Sequence, residues 1–395
     1  MRPRSLLRTR GRGSPCRFGA AVSALLPVLL VFSACATVQR PQFAELLWPG
    51  PPLTPRIKFV GLLRSGDDLE KSAGVLFAEA LLGKKATEAL SQPMDVAPSR
   101  DGTRLYVTDF AKRGVFVFDF AARRVSLLGG EAHGFKSPLG IAVDDKDNVY
   151  VVDSIPRLIR VFDPRGNFLR NITDENVERP TGIAIDTVRR RIYVADSSRL
   201  TSNNHVIRIF DLEGNYLKAF GGRGDGEGKF FFPTDLALDG QGNLYVTDTM
   251  NARVQAFDPQ GRHLKTFGQR GDAIGMFDKP KGVAVDTFGN VYVVDSGWSN
   301  VQIFNERGEI LLFFGGRGRF PGLLFNPTGI AIDKDNRIYV ADAFNGRVGV
   351  YQLVNTEAED SFLTLPPHPE KEGDASEGDK SIQVPTTSEK RSERG

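Results

Sequence analysis

Cysteine and histidine are the residue types that this 395-residue chain nearly does without. The cysteines are Cys16 and Cys35, too few for a disulfide framework or a cysteine-built zinc module. The histidines, His133, His205, His263 and His368, include no pair at i,i+4 and no zinc-ligand spacing. No G-x-S-x-G elbow is present, so a serine hydrolase of that kind has no nucleophile. The apolar run Ala20–Ala34 falls short of the roughly 20 residues that a comfortable membrane helix needs. These scarcities make an enzyme the weaker reading: no catalytic residue, metal ligand or cofactor is expected, apart from the option of a divalent cation in a central channel.

That apolar run has a different meaning. Residues 1–34 hold six arginines and no acid, and end in small residues, which is the pattern of a Sec-type signal peptide. The arginines are never adjacent, against a twin-arginine route. Phe32-Ser33-Ala34-Cys35 resembles a bacterial lipobox, with Phe32 in place of the usual leucine; Ala34-Cys35-Ala36 also fits ordinary cleavage after Ala36. The first reading predicts lipidation of Cys35 and anchoring on the periplasmic side of the outer membrane, the lipid being the only membrane contact. The alternative is a soluble periplasmic protein. Removing the leader takes six of 51 bases and none of 48 acids, so a net +3 becomes −3. The mature chain then has no internal disulfide, and its stability must come from packing.

What the chain has in abundance is one motif. Pro233–Gly268 reads as four short strands, Asp235–Asp239, Asn243–Asp248, Arg253–Asp258 and His263–Phe267, separated by Gly, Asp, Asn or Pro turn chemistry. It is written six times, from Pro93, Pro138, Pro180, Pro233, Pro280 and Pro327, at steps of 45, 42, 53, 47 and 47 residues. Four residues past each proline stands an alanine; each second strand carries a tyrosine and ends in aspartate; each third strand carries Phe118, Phe162, Phe210, Phe257, Phe304 or Tyr351. Four strands per unit of this length predict an all-β, six-bladed β-propeller of four-stranded blades.

P-x-G-[IV]-A-[VI]-D, then N-[LV]-Y-V-x-D, then N-x-R-V-x-x-F-D, resembles the NHL repeat, which builds six-bladed propellers; the resemblance covers Pro93 to about Leu353. It departs at Asp95 and Asp235, which replace a glycine, and at Asn300, which replaces an arginine. Some propellers of this type are metal-dependent lyases with clustered histidines, which this chain lacks. RNA-binding members carry a RING domain, for which the cysteines are missing; export and negative charge argue further against a nucleic-acid partner.

The chain therefore divides into a signal peptide (1–34), a proline-rich tether (35–55), a closing strand and a short N-terminal helix over Asp67–Leu82 (56–91), the propeller (92–354) and a polar disordered tail (355–395). Blade six lacks a fourth strand, which Arg56–Leu63 can supply; Ser361–Leu365 competes. The six strand-end aspartates invite a calcium reading, but a feature of every blade is architecture, each capping the turn into the third strand and meeting a base such as Arg253 or Arg347. Departures from the scaffold single out one end of the ring. Blade three inserts five residues around Ser198–Asn204, and the connector Asp225–Phe232 brings Phe231 and Phe232 beyond the structural Phe230. Trp298 and Phe344 occupy second-to-third turns. Arg199, Phe231, Phe232, Trp298 and Phe344, with Asp95 and Asp235, are the candidate binding residues for an envelope protein or small ligand. The alternative is a metal-dependent hydrolase or lyase working in the channel.

Overall fold

The computed structural model describes residues 45–69, 88–129 and 134–356. Each repeat forms an antiparallel sheet whose strands lie in sequence order. The first strands are Pro93–Pro98, Pro138–Val143, Pro180–Asp186, Pro233–Leu238, Pro280–Val285 and Pro327–Ile332. Each packs beside the first strand of the next blade, and the sixth packs beside the first, so they ring the axis. Proline opens every one of them, where a missing N–H breaks no ladder. Immediately after it the register shifts in all six blades.

Period-two alternation gives each sheet two apolar faces, and both are used. Every first-strand alanine stands opposite the second-strand tyrosine, as Ala97 does to Tyr106 and Ala284 to Tyr292. That face packs on the aliphatic face of the following blade: Ala97, Tyr106 and Val117 of blade one meet Ile141, Val151 and Phe162 of blade two. Ala284 and Tyr292 of blade five meet Ile330, Ile338 and Val340 of blade six in the same way. The small residue admits the bulky neighbour where the sheets converge. The core is thus six seams between blades, each holding side chains worth about 1.5–3 kcal/mol apiece when fully buried.

An N-terminal strand closes the ring. β1 (Leu47–Trp48) and β2 (Ile57–Leu63) extend the sixth sheet outward, β2 running antiparallel to Arg347–Leu353 with Ile57 opposite Leu353 and Leu63 opposite Val348. Trp48, Phe59, Phe314 and Tyr351 interlock edge-on or tilted around this joint. Part of the span read as a tether is therefore ordered. Leu47–Trp48 has only two residues, too few to show alternation between its prolines. Of the helix expected over 67–82, the described part is one 3-10 turn, Gly66–Asp68, capped by Ser65; the remainder, like Cys35, Ser361–Leu365 and the tail, lies outside the described residues.

Strands alternate in direction, so the connectors into first strands and the second-to-third turns share one end of the disc. We call this end the loop face; the opposite end carries first-to-second and third-to-fourth turns.

Candidate functional site

The six strand-end aspartates, all fully buried, hold the loop face in place. Asp109 accepts the Ser91 and Gln92 amides at 2.6 and 3.0 Å, Asp248 the Phe231 amide at 2.6 Å, and Asp342 the Phe325 amide at 2.7 Å. Each thus ties the incoming connector to the end of the second strand. Where the third strand offers a cation, it joins: Arg160 to Asp153, Arg208 to Asp196, Arg253 to Asp248 and Arg347 to Asp342, at 2.8–3.2 Å. Burial pushes Asp248 and Asp342 up, while the Asn, amide and Arg donors pull them back. These carboxylates have their partners within the blade, and they are architectural.

Asp95 and Asp235 do not lie on the loop face. They sit in the inner seams, where other blades place glycine against backbone: a Cβ on Gly329 would come within 2.6 Å of the Asp95 Cα, and one on Gly182 within 2.6 Å of the Asp235 Cα. Each reaches forward to the next blade, Asp95 Oδ2 accepting the Ile141 amide and Asp235 Oδ2 the Val283 amide, both at 3.0 Å. Burial raises Asp95 well above the usual range, and the charge of Asp235 adds to it; burial raises Asp235 to about 7.

This correspondence extends around the ring. Blades one and four both read Leu-Tyr-Val-Thr-Asp in the second strand, blades two and five Val-Tyr-Val-Val-Asp, and blades three and six Arg-Ile-Tyr-Val-Ala-Asp. Their bonds repeat too. Thr108 Oγ1 donates to Leu139 O at 2.6 Å, and Thr247 Oγ1 to Lys281 O at 2.7 Å. Thr181 Oγ1 donates to Pro233 O at 3.1 Å, and Thr328 Oγ1 to Pro93 O at 3.2 Å. The propeller is two copies of a three-blade unit, and Asp95 and Asp235 are the same position in each.

On the loop face, the blade-three insertion folds over Glu178, which accepts Ser198, Ser202 and Asn204. The donors hold Glu178 below the ordinary carboxylate range, the Ser198 hydroxyl foremost. Arg199 is exposed at the top of this insertion. Beneath it, a polar groove of about 620 Å³ is lined by Glu175, Asn176, Glu178, Asn204, Arg208, Tyr216 and Ala219.

Phe231 and Phe232 come together around a residue that the sequence did not single out, His205. This ring is fully buried, with centroids 5.5 Å from Phe231 and 4.8 Å from Phe232, and Arg223 lies 5.0 Å over Phe231. Neither ring nitrogen makes a hydrogen bond of ordinary geometry. Burial, then Arg223, lowers its pKa, so the ring is neutral and serves as packing. Phe231 is no departure from the scaffold, since Phe325 occupies the same place before blade six, with Arg317 above it at 5.2 Å. Phe232 is one: its φ is 60°, a left-handed conformation that the matching Asn326 adopts at 53° with less strain.

Trp298 and Phe344 stand apart from this cluster, in blades five and six. The Trp298 indole donates to Gly271 O at 3.1 Å, and Phe344 meets Phe325 edge-on at 5.4 Å. They are two of a set. Every second-to-third turn exposes a large apolar side chain: Phe110, Ile155, Leu200, Met250, Trp298 and Phe344. The sequence pattern marks only Trp298 and Phe344 of these, not Phe110, Ile155, Leu200 or Met250. Among the described residues, no three His, Cys, Asp or Glu side chains form a metal-binding group.

Residues 173–272 match a family model described as a 6-bladed beta-propeller, and residues 326–351 match the NHL repeat. Among solved structures, the chain is similar to a Bacteroides thetaiotaomicron protein of unknown function (TM-score 0.56, 15% identity, covering 76% of each chain). It is also similar to a gluconolactonase from Xanthomonas campestris (0.53, 16%, 75% of this chain and 98% of that one). A streptogramin B lyase matches with TM-score 0.50 and 15% identity over 67% of this chain and 94% of that one. At such identities the likeness is one of fold.

Proposed function

We infer that this chain, a six-bladed β-propeller of NHL-type repeats, works as a binding and scaffold protein of the bacterial envelope. It is tethered through Cys35 and engages its partner with the loop face. One observation carries this reading: each of the six second-to-third turns spends a large apolar side chain on solvent, where the scaffold asks for none. The opposite face exposes fewer such residues in its turns, Leu53, Val188 and Phe288. Photo-crosslinkers placed at Trp298 and Phe344 in cells should therefore capture a partner, whereas the same group at Val188 or Phe288 should not. Equal capture from both faces, or none from the loop face, overturns the reading.

A second reading, a hydrolase or lyase using a divalent cation in the channel, draws on Asp95, buried, and Asp235, half-buried, in opposite blades of the ring. Both already accept an amide of the next blade. This reading requires stoichiometric metal in the purified protein and an activity lost with chelator.

A further inference from the structure

The six turns raise a question of shape. Their apolar side chains do not line the groove beside Glu178; they are distributed one per blade around one end of the ring. Ile155 is 67% exposed and Phe344 57%, while two connectors on the same face add Ile274 at 66% and Phe320 at 78%. A folded partner that buried all of these would need to match the whole annulus. A planar surface meets them together.

The same turns expose positive charge. None of the six second-to-third turns contains an aspartate or glutamate, although Lys112, Arg113, Arg157 and Arg199 lie in them and are exposed. The connectors carry both signs, Arg223, Arg270 and Arg317 beside Asp225 and Asp272. On the opposite face, the first-to-second turns expose both signs, Asp101, Asp145 and Asp335 beside Arg100, Lys146, Arg189, Arg190 and Lys334.

The first described residues lead toward the same side. β2 runs toward the loop face, and β1 is antiparallel to it, so the chain traced back from Trp48 through Leu46 heads toward that face. A Cβ on Gly322, in the connector that carries Phe320, would lie 2.8 Å from Leu46. Ten peptide steps separate Cys35 from Glu45, a reach of at most about 36 Å.

We propose that the loop face lies against an anionic lipid bilayer, its turns placing their apolar side chains among the headgroups and its arginines and lysines meeting lipid phosphate. This rests on the loop face being the working surface, and it adds a second membrane contact to the lipid anchor. A single acyl signal binds reversibly, and a basic, apolar surface beside it makes residence stable. Trp298, with its ring half exposed and its N–H satisfied, is the residue type that settles at headgroup depth.

The test uses residues 36–395, which keep the closed ring and all six seams but can carry no acyl chain, with vesicles of phosphatidylethanolamine and phosphatidylglycerol. The protein should sediment with these vesicles, less with purely zwitterionic ones, and less again at high salt. Trp298 should shift to the blue on binding in a Trp48→Phe background, these being the two tryptophans of the chain. Ile155→Asp with Ile274→Asp and Phe320→Asp should weaken binding by at least about tenfold at an unchanged melting temperature. Val188→Asp with Phe288→Asp should leave it unaltered. Absence of sedimentation, an unmoved Trp298 spectrum, or a triple variant that binds like its parent overturns the proposal. If crosslinks from Trp298 and Phe344 then identify an envelope protein, the face is a protein interface and only the bilayer is wrong. If both experiments fail, the loop face is not the working surface.

Discussion

Asp95 and Asp235 are visible as departures because the other four copies of the repeat place glycine there. Their partners were not visible, since the Ile141 and Val283 amides lie 46 and 48 residues away and a backbone donor leaves no trace in sequence. The same holds for His205, whose aromatic neighbours come from the next connector. The carboxylates also have a consequence for pH. Asp235 is raised from 3.8 to about 7, and Asp95 is raised well above its ordinary value. A native state that keeps a proton the unfolded chain has released is favoured at low pH. This contribution is therefore complete below about 4 and is lost as pH rises toward 7. The double variant Asp95→Asn with Asp235→Asn keeps an acceptor for each amide and removes the charge. By calorimetry, its melting temperature should match the parent near about pH 3.5 and exceed it by a few degrees at about pH 8. A constant difference at all pH values would show that these carboxylates do not hold the proton.

Strands were legible wherever alternation ran for five residues or more, and the anchoring proline and strand-end aspartate set their limits to within one or two positions. β1 escaped because two residues have no period. Its value lies in what it covers: with β2, it seals a seam that would otherwise leave the Arg347–Leu353 edge open. Ile57, Phe59 and Leu63 of β2 are all buried, and at about 1.5–3 kcal/mol each they outweigh any local propensity. Deleting residues 56–63 should lower the melting temperature by more than about 10 °C, by differential scanning fluorimetry, whereas truncation after Asn355 should change it little. If the deletion is harmless, the ring does not depend on its N-terminal strand.

At the scale of the molecule, the six-fold repeat concealed a two-fold one. The pairing of blades one with four, two with five and three with six is written in the second strands, but the common blade pattern dominates until bonds such as Thr108–Leu139 and Thr247–Lys281 are compared. The difference between the two ends of the disc was legible only in part. The sequence pattern marks Trp298 and Phe344, while Phe110, Ile155, Leu200 and Met250 share their face only once the blades are assembled. The way the ring is fastened has a mechanical side as well. A load applied at Glu45, the first described residue, enters the ring there. From there the load meets the two bridges of β1, then the Ile57 end of β2, which is far from the loop face. Pulled back over itself, β2 gives way one ladder bond at a time, like a zip, and its bonds do not resist together as they would in shear. Under optical tweezers, with the handle at residue 45, the first rip should be the release of residues 45–63 at low force, with five blades still folded. The fastening that completes the ring at rest is also the part that yields first under tension.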